Sequence, residues 1–220
     1  MSDHLQAALA SSLWQHKAIR VQTEEPFELA SGNRSPVYIN CRSVISSPDF
    51  MVLFTAAARS LLATVAFDAV AGGATAGIPY ASYLAADLNR PMLYVRKSAK
   101  GYGTGSQVEG AVTDGWQVLL VEDLITDGGS KLPFIDALKA QRTVVEDVLV
   151  LFDREQGGRE LLAQHGVQLH ALVGWGQALG AGIEQGEVES EEVSEIESYF
   201  DDPAGWHQRR GFAFVGRSQL

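Results

Sequence analysis

At 220 residues, 46% hydrophobic and 20% charged, the chain can build one good-sized core with a small appendage; it contains no apolar run near the ~20 residues of a bilayer-spanning helix, and its lone cysteine, Cys41, excludes an internal disulfide. Its formal net charge of −10 is local: Glu184, Glu187, Glu189, Glu191, Glu192, Glu195, Glu197, Asp201 and Asp202 supply nine of the 27 acids in a stretch free of Lys and Arg, and the rest of the chain carries 18 acids against 17 bases. A body so close to neutral, with no basic face and no interleaving of aromatic and basic residues, argues against nucleic acid as a partner.

The N-terminus MSDHLQAALASSLWQHK reads as an amphipathic helix and not as a secretory signal, so a cytoplasmic protein is expected. Leu5, Leu9 and Leu13 fall on one stripe of that helix, with Ala8 and Trp14 adjoining, and Ser2 or Asp3 can cap its start. Short strand-like pieces follow, IRV at 19–21 and VYIN at 37–40, punctuated by SGNRSP, which predicts a small hairpin or hood over about 19–45. Ser47 and Pro48 open a second helix whose buried face is Leu53, Phe54, Ala57, Leu61 and Leu62.

From there strands and helices alternate: 68–72 strand, 79–88 helix, 92–95 strand, 117–122 strand, 129–140 helix, 146–152 strand, 158–165 helix, 168–173 strand. That rhythm predicts an α/β fold with an open, mostly parallel twisted sheet flanked by helices, and the nearly continuous apolar runs fit strands covered on both faces. The main domain is expected over 1–180. Residues 181–220 form an acidic C-terminal extension, a short surface helix docked through Val188, Ile196, Tyr199 and Phe200. His4, His16, His165, His170 and His207 lack metal-ligand spacing, so no structural metal is expected.

VLLVEDLITDGGSK, 118–131, concentrates the chemistry. A buried strand ends in two carboxylates, Glu122 and Asp123, and runs through Leu124, Ile125, Thr126, Asp127, Gly128, Gly129 and Ser130 into a helix. Two glycines permit a tight turn with unhindered N–H groups, Thr126 and Ser130 add hydroxyls, and the helix directs its positive end at an anion. The carboxylates, at the edge where open α/β sheets bind ligands, can accept from vicinal sugar hydroxyls, so the segment suits a ribose phosphate. An ordinary strand–loop–helix junction with Asp127 as a cap is the plain alternative. It leaves unexplained two adjacent carboxylates that repel each other and lose hydration.

The segment resembles the phosphoribosyl pyrophosphate (PRPP) signature of type I phosphoribosyltransferases: an apolar strand, two acids, two apolar residues, then Thr-x-Gly, Gly or Thr, and Ser or Ala. The resemblance implies that Glu122 and Asp123 hold the ribose hydroxyls and that 126–130 wrap the 5-phosphate, with backbone contacts from Leu124 and Ile125. Arg96, Lys97 and Lys100, at the root of GYGTGSQVEG, resemble the catalytic loop of orotate phosphoribosyltransferases; taken alone the stretch would read as a solvated loop with snorkelling lysines. The resemblance implies a closing lid with Lys100 as its main catalytic cation, reaching into the partner subunit of a homodimer. Tyr102 stands where that family commonly carries His, and Ala30 and Ala76 stand where lysines are common, which places more electrostatic work on Arg96, Lys97 and Lys100.

FELASGNRSPVYINCR (27–42) is similar to the family's hood and FDREQGG (152–158) to its late Asp-Arg-x-Glu segment, which implies that Arg154 contacts orotate; by itself, a surface ion pair with Asp153 or Glu155 would be the ordinary reading. Tyr38 packs on the base or is simply a half-buried strand tyrosine, and Thr126 also falls in the orotate set. GGATAGIP (72–79) offers a second backbone loop for pyrophosphate. The implied reaction joins orotate to PRPP and releases pyrophosphate, with Mg²⁺ held mainly by PRPP oxygens and by no protein ligand set. Three rivals remain: a transferase for another nucleobase would not need SGNRSP or Arg154, a PRPP-sensing regulator would carry a basic surface or lack the lid cations, and a receiver domain would need a Lys after Lys139.

Overall fold

The computed structural model describes residues 2–29, 31–98 and 106–215. Ten strands and eight α-helices are described: α1 (Ser2–Gln15), β1 (Ile19–Val21), β2 (Phe27–Glu28), β3 (Arg34–Ser35), β4 (Val37–Ile39), α2 (Pro48–Leu61), β5 (Ala69–Gly73), α3 (Gly77–Asp87), β6 (Met92–Val95), β7 (Val108–Glu109), β8 (Val118–Ile125), α4 (Leu132–Lys139), β9 (Asp147–Asp153), α5 (Gly158–Gln164), β10 (Gln168–Gly174), α6 (Trp175–Glu184), α7 (Ser190–Asp201) and α8 (Pro203–Arg210). The six-stranded sheet has the order β10-β9-β8-β5-β6-β7 and is parallel throughout except for the β6–β7 edge pair. The expected mostly parallel α/β sheet is therefore present.

Both faces are covered, as the apolar runs required. Val70, Leu119, Val121, Leu149 and Leu151 join the cluster that contains α1, α2, α3 and α6, while Ala71, Leu120, Val148 and Val150 join the one that contains α4 and α5. Ser47 accepts from the Phe50 N–H at 3.3 Å and Pro48 follows it, so α2 starts where the Ser-Pro pair predicts. Its buried face is Phe50, Met51, Phe54, Ala57 and Ala58, with Leu53 and Leu61 at its margin.

After β5 the chain turns to β6 on one side and later to β8 on the other, so the β5/β8 boundary is where the winding reverses. β5 ends at Gly73 and pairs β8 only as far as Val121, whereas β9 accompanies β8 to Ile125. A notch opens beside the last residues of β8. The segments after β5, β6, β8, β9 and β10 all emerge at this edge because the strands run parallel.

Two expectations are corrected here. β8 continues through Ile125, so Glu122 and Asp123 lie within a strand still paired to β9 and not beyond its end. The helix expected from 129 begins as a 3-10 turn, Gly129–Lys131, and becomes α-helical only at Leu132, because Gly128 adopts φ 83° and the tight turn must close first.

The hood consists of two antiparallel pairs, β1 with β4 and β2 with β3. Beyond β10 the chain forms three helices where one short helix was expected. Trp14 Nε1 donates to the Ala178 carbonyl at 2.7 Å, and a Cβ on Gly182 would lie 2.6 Å from the Trp14 ring, so α6 is packed into the core. Position 180, drawn as a domain edge, falls inside that helix. α7 and α8 fold back on the hood: the Arg34 N–H donates to His207 Nε2 at 2.9 Å, and Arg210 Nη2 donates to the Thr23 and Glu24 carbonyls at 2.7 and 3.1 Å. Among the described residues no helix is long and apolar enough to cross a membrane.

Candidate active site

Successive strand residues project to opposite sides, and the paired acids of β8 part accordingly. Glu122 turns inward. Its Oε2 accepts from Lys131 Nζ at 2.5 Å, both side chains are only 7% exposed, and its Oε1 occupies the space that a Cβ on Gly73 or Gly77 would need. Only glycines let the 73–77 turn lie this close to the carboxylate. Burial pushes the Glu122 pKa up, and the Lys131 ammonium pulls it back.

Asp123 faces the cleft. Its side chain is 15% exposed, and Oδ2 lies 3.8 Å from Arg42 Nε at the end of the hood. The neighbouring Cys41 is fully enclosed, and burial, reinforced by the Asp123 charge, raises its thiol pKa well above the ordinary value. The Tyr80 hydroxyl of α3 donates to the Cys41 carbonyl at 2.5 Å, which fixes the end of the hood to α3 next to Arg42, the residue that approaches Asp123.

In the 126–131 turn, Asp127 Oδ1 accepts the Gly129 N–H at 3.0 Å, and the Lys131 N–H donates to the Gly128 carbonyl at 2.9 Å. The Gly129 amide is thus engaged within the turn and not offered outward as expected; an Asp two residues before an amide readily closes such a turn. Gly129 and Ser130 form the exposed tip.

Arg154 follows β9, and its N–H donates to the Ile125 carbonyl at 3.0 Å. Its side chain is buried, 8% exposed, and neither Nε nor Nη2 has a hydrogen-bond partner. A surface ion pair with Asp153 or Glu155 is therefore not what forms. Both acids are occupied: Asp153 accepts the Glu155 N–H at 2.8 Å and lies 3.6 Å from Arg159, while Glu155, at φ 57°, accepts the Gly176 N–H at 3.0 Å at the start of α6. Desolvation pushes the Arg154 pKa down, and the Tyr199 side chain opposes it. The free pair of atoms forms one edge of the guanidinium, two parallel N–H donors suited to a carboxylate or a similar planar acceptor.

The root of the basic stretch is a short ribbon. The Arg96 N–H donates to the Gln107 carbonyl at 2.9 Å, and Gln107 Nε2 returns a bond to the Arg96 carbonyl at 2.7 Å. Arg96 Nη1 is buried 3.8 Å from Glu109 Oε1, and Lys97 is exposed. Lys100, Tyr102 and Ala30 lie outside the described residues.

No family model matches the chain. The orotate phosphoribosyltransferase of Rhizobium johnstonii is 41% identical over 207 residues, which cover 92% of this chain and 90% of that protein. The chain belongs to the orotate phosphoribosyltransferase family. The orotate phosphoribosyltransferase of Aeropyrum pernix superposes with a TM-score of 0.71 at 34% identity, over 82% of this chain and 99% of that one. That of Mycobacterium tuberculosis in complex with PRPP superposes with a TM-score of 0.65 at 25% identity, over 79% and 98%.

For an orotate phosphoribosyltransferase, the residues read from sequence are brought together unevenly. Asp123, the 126–130 turn, Arg96 and Arg154 gather at one sheet edge. Glu122 lies behind that edge with Lys131, and Tyr38 stands 38% exposed with its ring 5.5 Å from Phe27. Two site residues carry no sign in the sequence: Lys131, which ends the 118–131 motif and reads as the solvated start of a helix, and Arg42, which ends the hood segment. Neither has a local signal, since both depend on which distant carboxylate the fold delivers.

Proposed function

We propose that the chain transfers the phosphoribosyl group of PRPP to orotate, forming orotidine 5'-monophosphate and pyrophosphate in pyrimidine (UMP) biosynthesis. The observation that carries the choice of base is the unpartnered Nε and Nη2 edge of buried Arg154 at the same sheet edge as Asp123. A desolvated cation with two parallel donors favours a planar anion over a neutral base, and orotate supplies a carboxylate.

In this reading the 5-phosphate lies against Thr126–Ser130, with Asp127 bracing the turn from within and Leu124 and Ile125 contributing backbone. Asp123 accepts from the ribose hydroxyls, and Glu122 supports the 73–77 turn beneath the pyrophosphate. A ring nitrogen of orotate, giving up its proton to water, bonds to the anomeric carbon as the bond to pyrophosphate breaks, the leaving group departing with the electron pair. Positive charge gathers on the ribose in between, and the nearby Asp123 carboxylate stabilises it. Arg96, Lys97 and Lys100 offset the charge of the departing pyrophosphate, Tyr102 adds a hydroxyl donor, and the loop carrying them reaches the partner's site in a homodimer. Tyr38 and Thr126 border the base.

The cleft-facing carboxylate of Asp123 offers oxygen donors of the kind that a hard cation such as Mg²⁺ takes beside phosphate and water. When bound with PRPP the cation neutralises pyrophosphate charge; Asp123 is the protein carboxylate nearest to serving it. The chain is proposed to work in the cytoplasm.

The test is consumption of orotate, followed by absorbance with PRPP and Mg²⁺, beside parallel reactions with uracil, adenine and hypoxanthine. Orotate alone is expected to react; turnover of a purine in its place overturns the assignment.

A further inference from the structure

The acidic C-terminal segment lies outside the motifs that carry the resemblance, yet one of its helices ends against Arg154. Phe200, near the end of α7, presents its ring to the guanidinium, with Arg154 Cζ 5.4 Å from the ring centroid. That ring is also stacked on Trp175, the first residue of α6, whose centroid lies 4.0 Å away at an interplanar angle of 8°. Phe200 thus touches both Trp175 and Arg154, and Tyr199, itself buried, packs edge-on to Phe200 at 5.3 Å.

This shelf is fixed from several directions. Val188 and Ile196 are buried in the main core, and Glu189 with Glu192 forms a capping box at the start of α7. Glu195 accepts from Trp206 Nε1 at 2.9 Å and from Arg210 Nη1 at 2.8 Å, and Arg210 reaches the Thr23 and Glu24 carbonyls of the hood. A buried guanidinium with two unsatisfied donors would otherwise relax toward any available acceptor. A ring face holds it without consuming a donor, because the attraction is between the cation and the π-system.

We infer that Phe200, itself stacked on Trp175, is a positioning residue for the base subsite: its ring holds Arg154 while leaving the buried Nε and Nη2 edge without a protein partner, for the carboxylate of the pyrimidine substrate. This rests on the reading of Arg154 as the orotate contact. It gives the C-terminal segment a part in base recognition and none in phosphoribosyl binding.

The experiment measures KM for orotate and for PRPP separately, with kcat and thermal melting, for wild type, F200L, F200Y, F200A and R154A. F200L keeps apolar volume but removes the ring face; loss of a desolvated cation–π contact is expected to raise KM for orotate about 30-fold in F200L and F200A. KM for PRPP should stay within about twofold, because only the base side is disturbed. F200Y, which restores a ring, should recover most of the orotate affinity. A normal orotate KM in a folded F200L, or an equal rise in both KM values, overturns the inference. The underlying assignment fails differently: R154A would leave the orotate KM unchanged, or wild type would not consume orotate at all.

Discussion

The phosphate side of the cleft and the base side are assembled differently. The 5-phosphate and ribose contacts of the first come from one continuous stretch, 118–131, in which strand, acids, turn and buried lysine follow one another. The second draws Arg154 from the end of β9, Cys41 and Arg42 from the hood, and Trp175, Tyr199 and Phe200 from the C-terminal helices. A site made from one stretch can be recognised as a pattern, whereas a site made from four is specified only when the chain has folded. The two sides should also fail differently when altered, the phosphate side through chemistry and loop shape, the base side through affinity for one substrate.

The largest effect is expected from separating the paired acids. Asp123→Asn keeps the shape but removes the charge that faces the cleft, and kcat is expected to fall ~10²–10³-fold, as for other groups that stabilise developing charge. Stability should change little, because the side chain is partly solvated and its nearest cation, Arg42, is 3.8 Å away and largely exposed. Steady-state kinetics beside denaturant unfolding checks both halves. If Asp123→Asn and Glu122→Gln proved equally impaired in kcat with equal stability, the two carboxylates would share one role and the division drawn here would be wrong.

The next effect concerns Lys131. Lys131→Met leaves Glu122 as a buried carboxylate without its cation, a change expected to cost about 3 kcal/mol at neutral pH. The dependence on pH has a definite sign. Burial already holds the Glu122 pKa above its ordinary value against the pull of Lys131, and the substitution raises it further. A carboxyl with a raised folded-state pKa favours folding while it is protonated and opposes folding as the pH rises through that pKa. The deficit of Lys131→Met relative to wild type should therefore shrink as the pH falls toward the ordinary carboxylate range. Adding Glu122→Gln should recover part of it at neutral pH. Urea unfolding at several pH values tests this, and a deficit independent of pH would mean that the lysine acts through packing alone.

What was legible in the sequence follows the same division. The strands IRV and MLYV appear at the residues predicted, and the Ser-Pro helix start holds, because short apolar runs and fixed turn chemistry are local properties. The extent of β8 was not legible: strand and turn residues are compatible with either ending until β9 is placed beside them. The docking of the acidic segment through Val188, Ile196, Tyr199 and Phe200 was legible and holds, whereas its division into several helices and the buried Trp206 were not. Arg154 was found from resemblance, since an Arg between two acids carries no local sign that both neighbours bond elsewhere.

The smallest effect lies where the two sides meet. Tyr80 of α3, beside the pyrophosphate turn, donates its hydroxyl to the Cys41 carbonyl of the hood, beside the base subsite. Both groups are buried, so Tyr80→Phe leaves the carbonyl without that donor and is expected to cost about 1–2 kcal/mol of stability, read as a lowered denaturation midpoint with an unchanged slope. Because the bond holds the end of the hood to α3 and touches neither substrate, KM for orotate and KM for PRPP should rise together and modestly. A selective rise in one of them would show that the hood belongs to that substrate's side, and the boundary between the two halves of the cleft would have to be redrawn through Tyr80.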